Sequence, residues 1–550
     1  MSVPHHPMLI GGRPVDSGQR MHIINPGDEE LVATVAQGDE SHIDVAVAAA
    51  KTAFERGTWS RATPQDRAEV MRRIAAAAHQ ASDELIELEM ACNDATIRLA
   101  TGFHIGYALS HFNYFADLAE SYAWQRPASV ETFPVLSQSV VHRDPIGVVG
   151  AITPWNFPLL LTIWKIGPAL AAGNSVVVKP DEHTPLSILE FAHIAERNGL
   201  PAGVLNVVPG EGRVAGARLA SHPDVGKIAF TGSTAVGREI MRLASGTVKQ
   251  VTLELGGKGP SVVLDDADLD LAVDGVLYGC FAYSGQICES GTRALVPAAL
   301  HDEFVDRLVT RAKTIVVGPT RDWDTDLGPV IDAAQRQRIL SYIDDARAAG
   351  ATVALGGEPI TGGSFDKGFW LAPTILTGVS NDMTIAREEV FGPVLVVIGY
   401  HGDEHAIEIA NDSDYGLAAS IWTSDNARGL AMAERIRAGS VWINDAHQIN
   451  CKLPFGGYKQ SGIGRELGPT LSMPTRRSRR CTWICPADAR RSPTTSYSEM
   501  PEYQPYSGTL ASRTYAGAAS ARLVAFSLRS TLLTWDFTVP AEITSSSTIC

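Results

Sequence analysis

From Ile146 onward the chain alternates short apolar runs with longer amphipathic stretches. Gly147–Thr153, Ser175–Lys179, Val204–Val208, Lys227–Phe230 and Gln250–Glu254 are nearly continuous apolar runs, which read as strands buried on both faces. Between them, Leu160–Leu170, Thr184–Arg197, Arg213–Ser221 and a stretch from Thr234 carry helical spacing, with Gly173 and Asn198-Gly199 as stops. Strand and helix in alternation predict a parallel, doubly wound α/β sheet, which binds ligands at the carboxyl ends of its strands. A second α/β series follows the Leu255–Pro260 linker. Its strands are expected at 261–264, 294–296, 352–355, 373–376 and 394–398, and it ends near Asn444.

Ahead of both series, residues 8–36 read as short strands and turns. Ile43, Val45, Val47, Ala50 and Phe54 then recur at helical spacing, with Ser41 as the expected cap. Thr63-Pro64 opens a second helix with Pro at its first position, and residues 82–124 read as helical. Between Gln125 and Asp144 the composition shifts to Pro, Ser, Val and Thr. The core of that stretch, Gln138–Arg143, reads as a strand that leaves its own domain.

The 550 residues are too many for one core. With 45% hydrophobic and 19% charged residues the chain is a folded protein. A net charge of −15 disfavours nucleic acid and anionic membrane as partners. No apolar run has the length of a membrane span, and the first residues lack a basic and an apolar region, so a cytoplasmic location is expected. The seven cysteines are sparse and irregularly spaced, which suits a reducing compartment. Cys481 and Cys485 lack a second ligand pair, so no metal site is read.

Three segments carry candidate chemistry. Phe281-Ala-Tyr-Ser-Gly-Gln-Ile-Cys-Glu-Ser-Gly-Thr-Arg293 sets Cys288 on a Gly-flanked turn, where a thiol can face a cleft. Lone cysteines are usually small core residues, and Cys92, Cys280 and Cys451 are read that way. Thr153-Pro-Trp-Asn-Phe-Pro158 places Asn156 just beyond a strand end, and Val251-Thr-Leu-Glu-Leu-Gly-Gly-Lys258 ends a strand at Glu254. A nucleophile, an amide donor and a carboxylate base are thereby assembled.

On these motifs residues 9–468 resemble the NAD(P)-dependent aldehyde dehydrogenase superfamily. The resemblance implies an α/β aldehyde dehydrogenase-like fold: a Rossmann-like cofactor domain (1–126 and 146–255), an α/β catalytic domain (256–443) and a small β oligomerisation arm (127–145, with 444–470 bridging). It implies Cys288 as nucleophile, Asn156 as oxyanion donor, Glu254 as base and Glu466 as an aid to proton relay. Cofactor contacts are expected from Ile152, Thr153, Trp155, Lys179, Glu182, Gly212, Phe230, Thr231, Gly232, Ser233, Val236, Leu255, Glu389 and Phe391. Glu182 would repel a 2′-phosphate, which favours NAD, although such a carboxylate does not exclude NADP in this superfamily. The substrate tunnel is expected to be lined by Phe157, Leu161, Trp164, Ile287, Ile449 and Phe455, so an uncharged aliphatic or aromatic small-molecule aldehyde is expected, with His447 and Glu289 as polar exceptions nearby. A homo-oligomer, dimer or tetramer, is also implied.

The implied activity is aldehyde oxidation to an acid. Two alternatives stand beside it: a CoA-acylating relative, which Glu254 disfavours, and a folded, NAD-binding but inactive chain. The second arises because the resemblance stops at Gly468. Residues 471–550 are rich in Ser, Thr, Arg and Pro without periodicity. They read either as a reading-frame shift near codon 470 or as a divergent, disordered extension. Either would weaken the oligomer by leaving the arm unpartnered.

Overall fold

The computed structural model describes residues 3–131, 137–469 and 480–483. Its first large sheet has Gln250–Glu254, Val225–Thr231, Val148–Ile152, Ser175–Lys179 and Leu205–Val207 side by side and parallel. Every residue of Val148–Ile152 and Ser175–Lys179 is buried, because helices cover both faces. Antiparallel strands finish the two margins: Gly462–Ile463 beside Gln250–Glu254, and Met8–Ile10 with Arg13–Val15 beside Leu205–Val207. The strand order doubles back at Val148–Ile152, so the crevice at the carboxyl ends opens between it and its two neighbours.

The second sheet runs Thr352–Leu355, Thr374–Thr377, Val394–Tyr400, Arg293–Pro297, Pro260–Val263, Ala418–Trp422 and Ser440–Ile443, parallel except at Thr352–Leu355. Arg293 locks its centre. The buried guanidinium donates to the carbonyls of Lys258, Ile409 and Ala410 and to Asn381.

Three features differ from the sequence reading. The first long helix, Glu40–Arg56, is capped by Asp39 and not by Ser41. Asp39 Oδ1 accepts from the His42 N–H at 3.1 Å, and the Ser41 hydroxyl donates to the same oxygen at 2.6 Å. The stretch 82–124 is interrupted: Ser82–Asn93 ends at Asp94, whose φ is 47°, and residues Ala100–Tyr107 wind as a π-helix. Asp94 is pinned by the hydroxyl of Thr320, 226 positions away, at 2.5 Å. Finally, Arg480–Trp483 is not structureless. It adds a parallel strand to Ser440–Ile443, where unpaired edge groups of the second sheet accept it. Four residues are too few to show a period. Residues 470–479 and 484–550, and with them the frame-shift question, lie outside the described residues.

The expected arm is an antiparallel pair, Gln125–Glu131 with Ser137–His142, exposing Val130, Val140 and Val141. Its tip, 132–136, also lies outside the described residues. No helix among the described residues is long and apolar enough to cross a membrane.

Candidate active site

Cys288 is presented by a turn that the chain must be forced to make. Helix Leu269–Phe281 gives way to Tyr283 and Ser284 at φ 52° and 53°, then to Gly285 at φ 70°. Left-handed backbone at two non-glycine residues costs about 1 kcal/mol each. The neighbourhood holds it there. The Ser284 hydroxyl donates to Gly328 O at 2.6 Å, and Gln286 Oε1 accepts from Ile331 N at 2.9 Å. Glycine is obligatory at 285, because a Cβ there would lie 2.0 Å from Gly392 O.

The thiol is partly open, and burial raises its pKa well above the ordinary value. The carboxyl groups of Glu289, Glu254 and Glu389 lie close enough to add to the rise, and Cys288's own backbone N–H opposes it. Cys288 therefore rests as a thiol, and becoming a thiolate requires transfer of its proton. Asn156 is buried, and its Nδ2 donates to Gln286 O at 2.9 Å. That bond ties the donor to the nucleophile turn and uses one of two amide hydrogens, leaving the second for an oxyanion.

Glu254 ends its strand buried, and its Oε1 has no protein partner. Burial, reinforced by Glu466, raises its carboxyl well above the usual range, while Lys165 and Arg465 pull it down. Glu466 is fixed by Lys165, whose Nζ donates to Glu466 Oε1 at 2.8 Å and to Thr231 Oγ1 at 2.6 Å. Lys165 was not singled out from sequence. It stands as one cation in the apolar helix Pro158–Ala171, and a lone buried lysine there was the available signal.

The expected cofactor residues gather at the carboxyl ends of the first sheet. Ile152, Thr153 and Trp155 follow one strand, Lys179 and Glu182 the next, and Gly212 the third. Phe230 and Thr231 end strand Val225–Thr231, Gly232 and Ser233 follow it, and Leu255 follows Gln250–Glu254. Ser233 caps helix Thr234–Ala244 by accepting from the Val236 N–H at 3.3 Å, so that helix aims its N-terminus into the crevice, a site for a pyrophosphate. Gly237 lets the helix sit close, since a Cβ would meet Leu255 at 2.6 Å. Gly212 faces open space short of Lys179 Nζ at 4.0 Å, and Lys179 pairs with Glu182 at 3.3 Å. From the second domain, Phe391 stands edge-on to Trp155, with centroids 5.3 Å apart, and Glu389 Oε1 accepts from Gly257 N at 3.0 Å. The cradle fits a dinucleotide.

Cys288 and Glu254 both open into one cavity. Its walls include Phe157, Leu161, Trp164, Ile287, Ile449 and Phe455. Leu99, Phe103 and Tyr107, from the π-helical segment and the residue before it, complete one side. Sequence reading did not include them, although residues four apart share a helix face and the stretch 82–124 was read as helical.

A family model described as the aldehyde dehydrogenase family matches residues 14–475. The chain belongs to the aldehyde dehydrogenase family. Among its relatives, "Putative aldehyde dehydrogenase DhaS" of Bacillus subtilis is 41% identical over 84% of this chain and 92% of its own. The betaine aldehyde dehydrogenase of the same organism is 43% identical over 81% and 90%. Among solved structures, a Staphylococcus aureus betaine aldehyde dehydrogenase in complex with NAD+ superimposes with a TM-score of 0.82 at 39% identity, covering 84% of this chain and 92% of that one. In this aldehyde dehydrogenase the matched region runs to residue 475, just into the Ser, Thr, Arg and Pro-rich sequence that follows Thr470. Among the described residues no cluster of His, Cys, Asp and Glu could hold a metal ion.

Proposed function

We propose that this aldehyde dehydrogenase oxidises an uncharged aliphatic or aromatic aldehyde to the carboxylic acid with NAD. The observation that carries the proposal is the shared cavity, in which a thiol and a carboxyl open among apolar walls. The Cys288 thiol passes its proton to the Glu254 carboxylate in the same cavity as its sulfur adds to the carbonyl carbon, and the free Asn156 amide hydrogen and the Cys288 N–H receive the negative oxygen. Bound NAD supplies the hydride acceptor that turns this adduct into a thioester. Lys179 and Glu182 would hold its adenosine ribose, and Glu389 the nicotinamide ribose. Glu254, a buried carboxylate whose Oε1 has no protein partner, draws a proton from water as that water attacks the thioester. Glu466, held by Lys165 and close enough to act on Glu254, relays each proton away from Glu254. The valine-bearing antiparallel pair Gln125–Glu131 and Ser137–His142 supports assembly with further copies of the chain.

The test is NADH formation with a panel of uncharged aldehydes, beside Cys288→Ala. Turnover that vanishes in the variant and favours apolar substrates is the expected result. Absence of turnover by the soluble, NAD-binding chain would overturn the activity, and dependence on added CoA would assign the acylating chemistry instead. The aromatic walls favour a second reading, a quaternary-ammonium aldehyde held by cation–π contact with Trp164, Phe157 and Phe455. A trimethylammonium aldehyde in the same panel separates the two by kcat/KM.

A further inference from the structure

The residue after the nucleophile is a carboxylic acid, an awkward neighbour for a sulfur that must become an anion. Glu289 is buried and lines the cavity beside Cys288. Its Oε1 lies 3.2 Å from His447 Nδ1, and His447 Nε2 lies 3.1 Å from Gly279 O. The imidazole is wedged between Tyr278 and Trp442, with centroids 5.4 and 6.4 Å away, and its backbone sits at φ 60°. A non-glycine residue in that region is kept there by its surroundings.

This geometry fixes the protons. A backbone carbonyl can only accept, so Nε2 carries a hydrogen. Two bare lone pairs would repel at 3.2 Å, so a second hydrogen lies between Nδ1 and Oε1. Whether the imidazole or the carboxyl owns it, the pair is electrically neutral.

We propose that His447 is a positioning residue that keeps Glu289 neutralised beside Cys288, so that the thiolate forms next to a shared proton and not next to a carboxylate. This rests on Cys288 being the nucleophile. The other charged groups facing the thiol are Glu254, at the end of strand Gln250–Glu254, and Glu389, ahead of strand Val394–Tyr400. Around the pair stand Tyr278, Tyr107 and Asp445. None of these supplies a cation, which leaves the neutralising proton to His447.

The test is the pH dependence of Cys288 alkylation by iodoacetamide, read on the Cys288 peptide by mass spectrometry in the full chain. In His447→Gln, Glu289 keeps its charge without a shared proton, and the midpoint moves alkaline by about one pH unit or more. Glu289→Gln leaves the wild-type profile in place, because a neutral amide replaces a neutral pair. The double variant His447→Gln/Glu289→Gln returns to the wild-type midpoint, a rescue that a purely structural role would not give. An unmoved profile in His447→Gln overturns the proposal, as does an acid shift of about one unit in Glu289→Gln, which would mean the native pair is anionic. If His447→Gln does not fold, Glu289→Gln decides alone. The readout needs no aldehyde: the expected shifts without any turnover would refute the activity and leave this inference standing.

Discussion

A single added methyl group at Gly257 should cripple turnover without touching any reacting atom. Gly257 passes behind the nucleophile turn, and its own N–H donates to Glu389. An alanine Cβ there would lie 2.4 Å from the Cys288 carbonyl oxygen, with Leu417 Cβ at 3.3 Å on the same side. Contacts below 3.0 Å are not tolerated, so the Cys288 backbone must retreat by about 0.6 Å. A 1 Å misplacement of a reacting group costs about 100-fold, so 0.6 Å corresponds to about 1.6 kcal/mol, or about 15-fold in kcat. The assay is steady-state NADH formation, with KM for aldehyde expected to change less than kcat because the cavity walls stay put. Gly279→Ala is the control. It lies in the helix leading to the same turn, but its Cβ meets only Ala446 Cβ at 3.3 Å, and alanine suits a helix interior. Gly279→Ala should stay within about twofold of wild type. Full activity in Gly257→Ala would refute the reasoning. So would an equal loss in Gly279→Ala, which would show that any added methyl near the turn is harmful.

Asn156→Ala should lower kcat by about 100- to 1,000-fold, in line with the loss of one oxyanion donor, as measured in the same assay. Glu254→Gln should release one equivalent of NADH per active site in rapid-mixing experiments and then stall at the thioester; steady turnover at the wild-type rate would assign the base elsewhere. Burial pushes the Glu389 carboxyl up to about 7 against the pull of the Gly257 N–H, so it gains a proton as pH falls through that value. KM for NAD should then rise below about pH 7 and level off above it, and Glu389→Gln should flatten this profile. Trp164, edge-on to Phe455 at 5.2 Å, closes the cavity wall. Trp164→Ala should raise KM for short aldehydes more than for long ones.

The first sheet was legible because parallel strands buried on both sides must be apolar throughout, and Gly173 and Asn198-Gly199 mark two of its helix stops. The cysteine turn was legible because glycines at 285 and 291 flank a lone thiol. What escaped depends partly on contacts remote in sequence and partly on local competition for a cap. Asp94 breaks a helix because Thr320 holds it, and Ser41 loses the cap to Asp39 because the aspartate binds both His42 and Ser41. Lys165 reads as an oddity in an oily helix until Glu466, 301 positions later, supplies its anion. The Arg480–Trp483 strand has no period to detect; an open sheet edge recruits it.

The left-handed pair Tyr283–Ser284 makes the turn that presents Cys288 behave as a fuse. Its shape is kept by hydrogen bonds to the Gly328–Ile331 segment, not by its own preference. When heat or denaturant slackens that segment, Ser284 and Gln286 lose their anchors and the two residues relax to right-handed backbone. The thiol then swings away from Asn156 while both sheets remain intact. Inactivation on warming should therefore precede the loss of secondary structure, and prompt cooling should restore it.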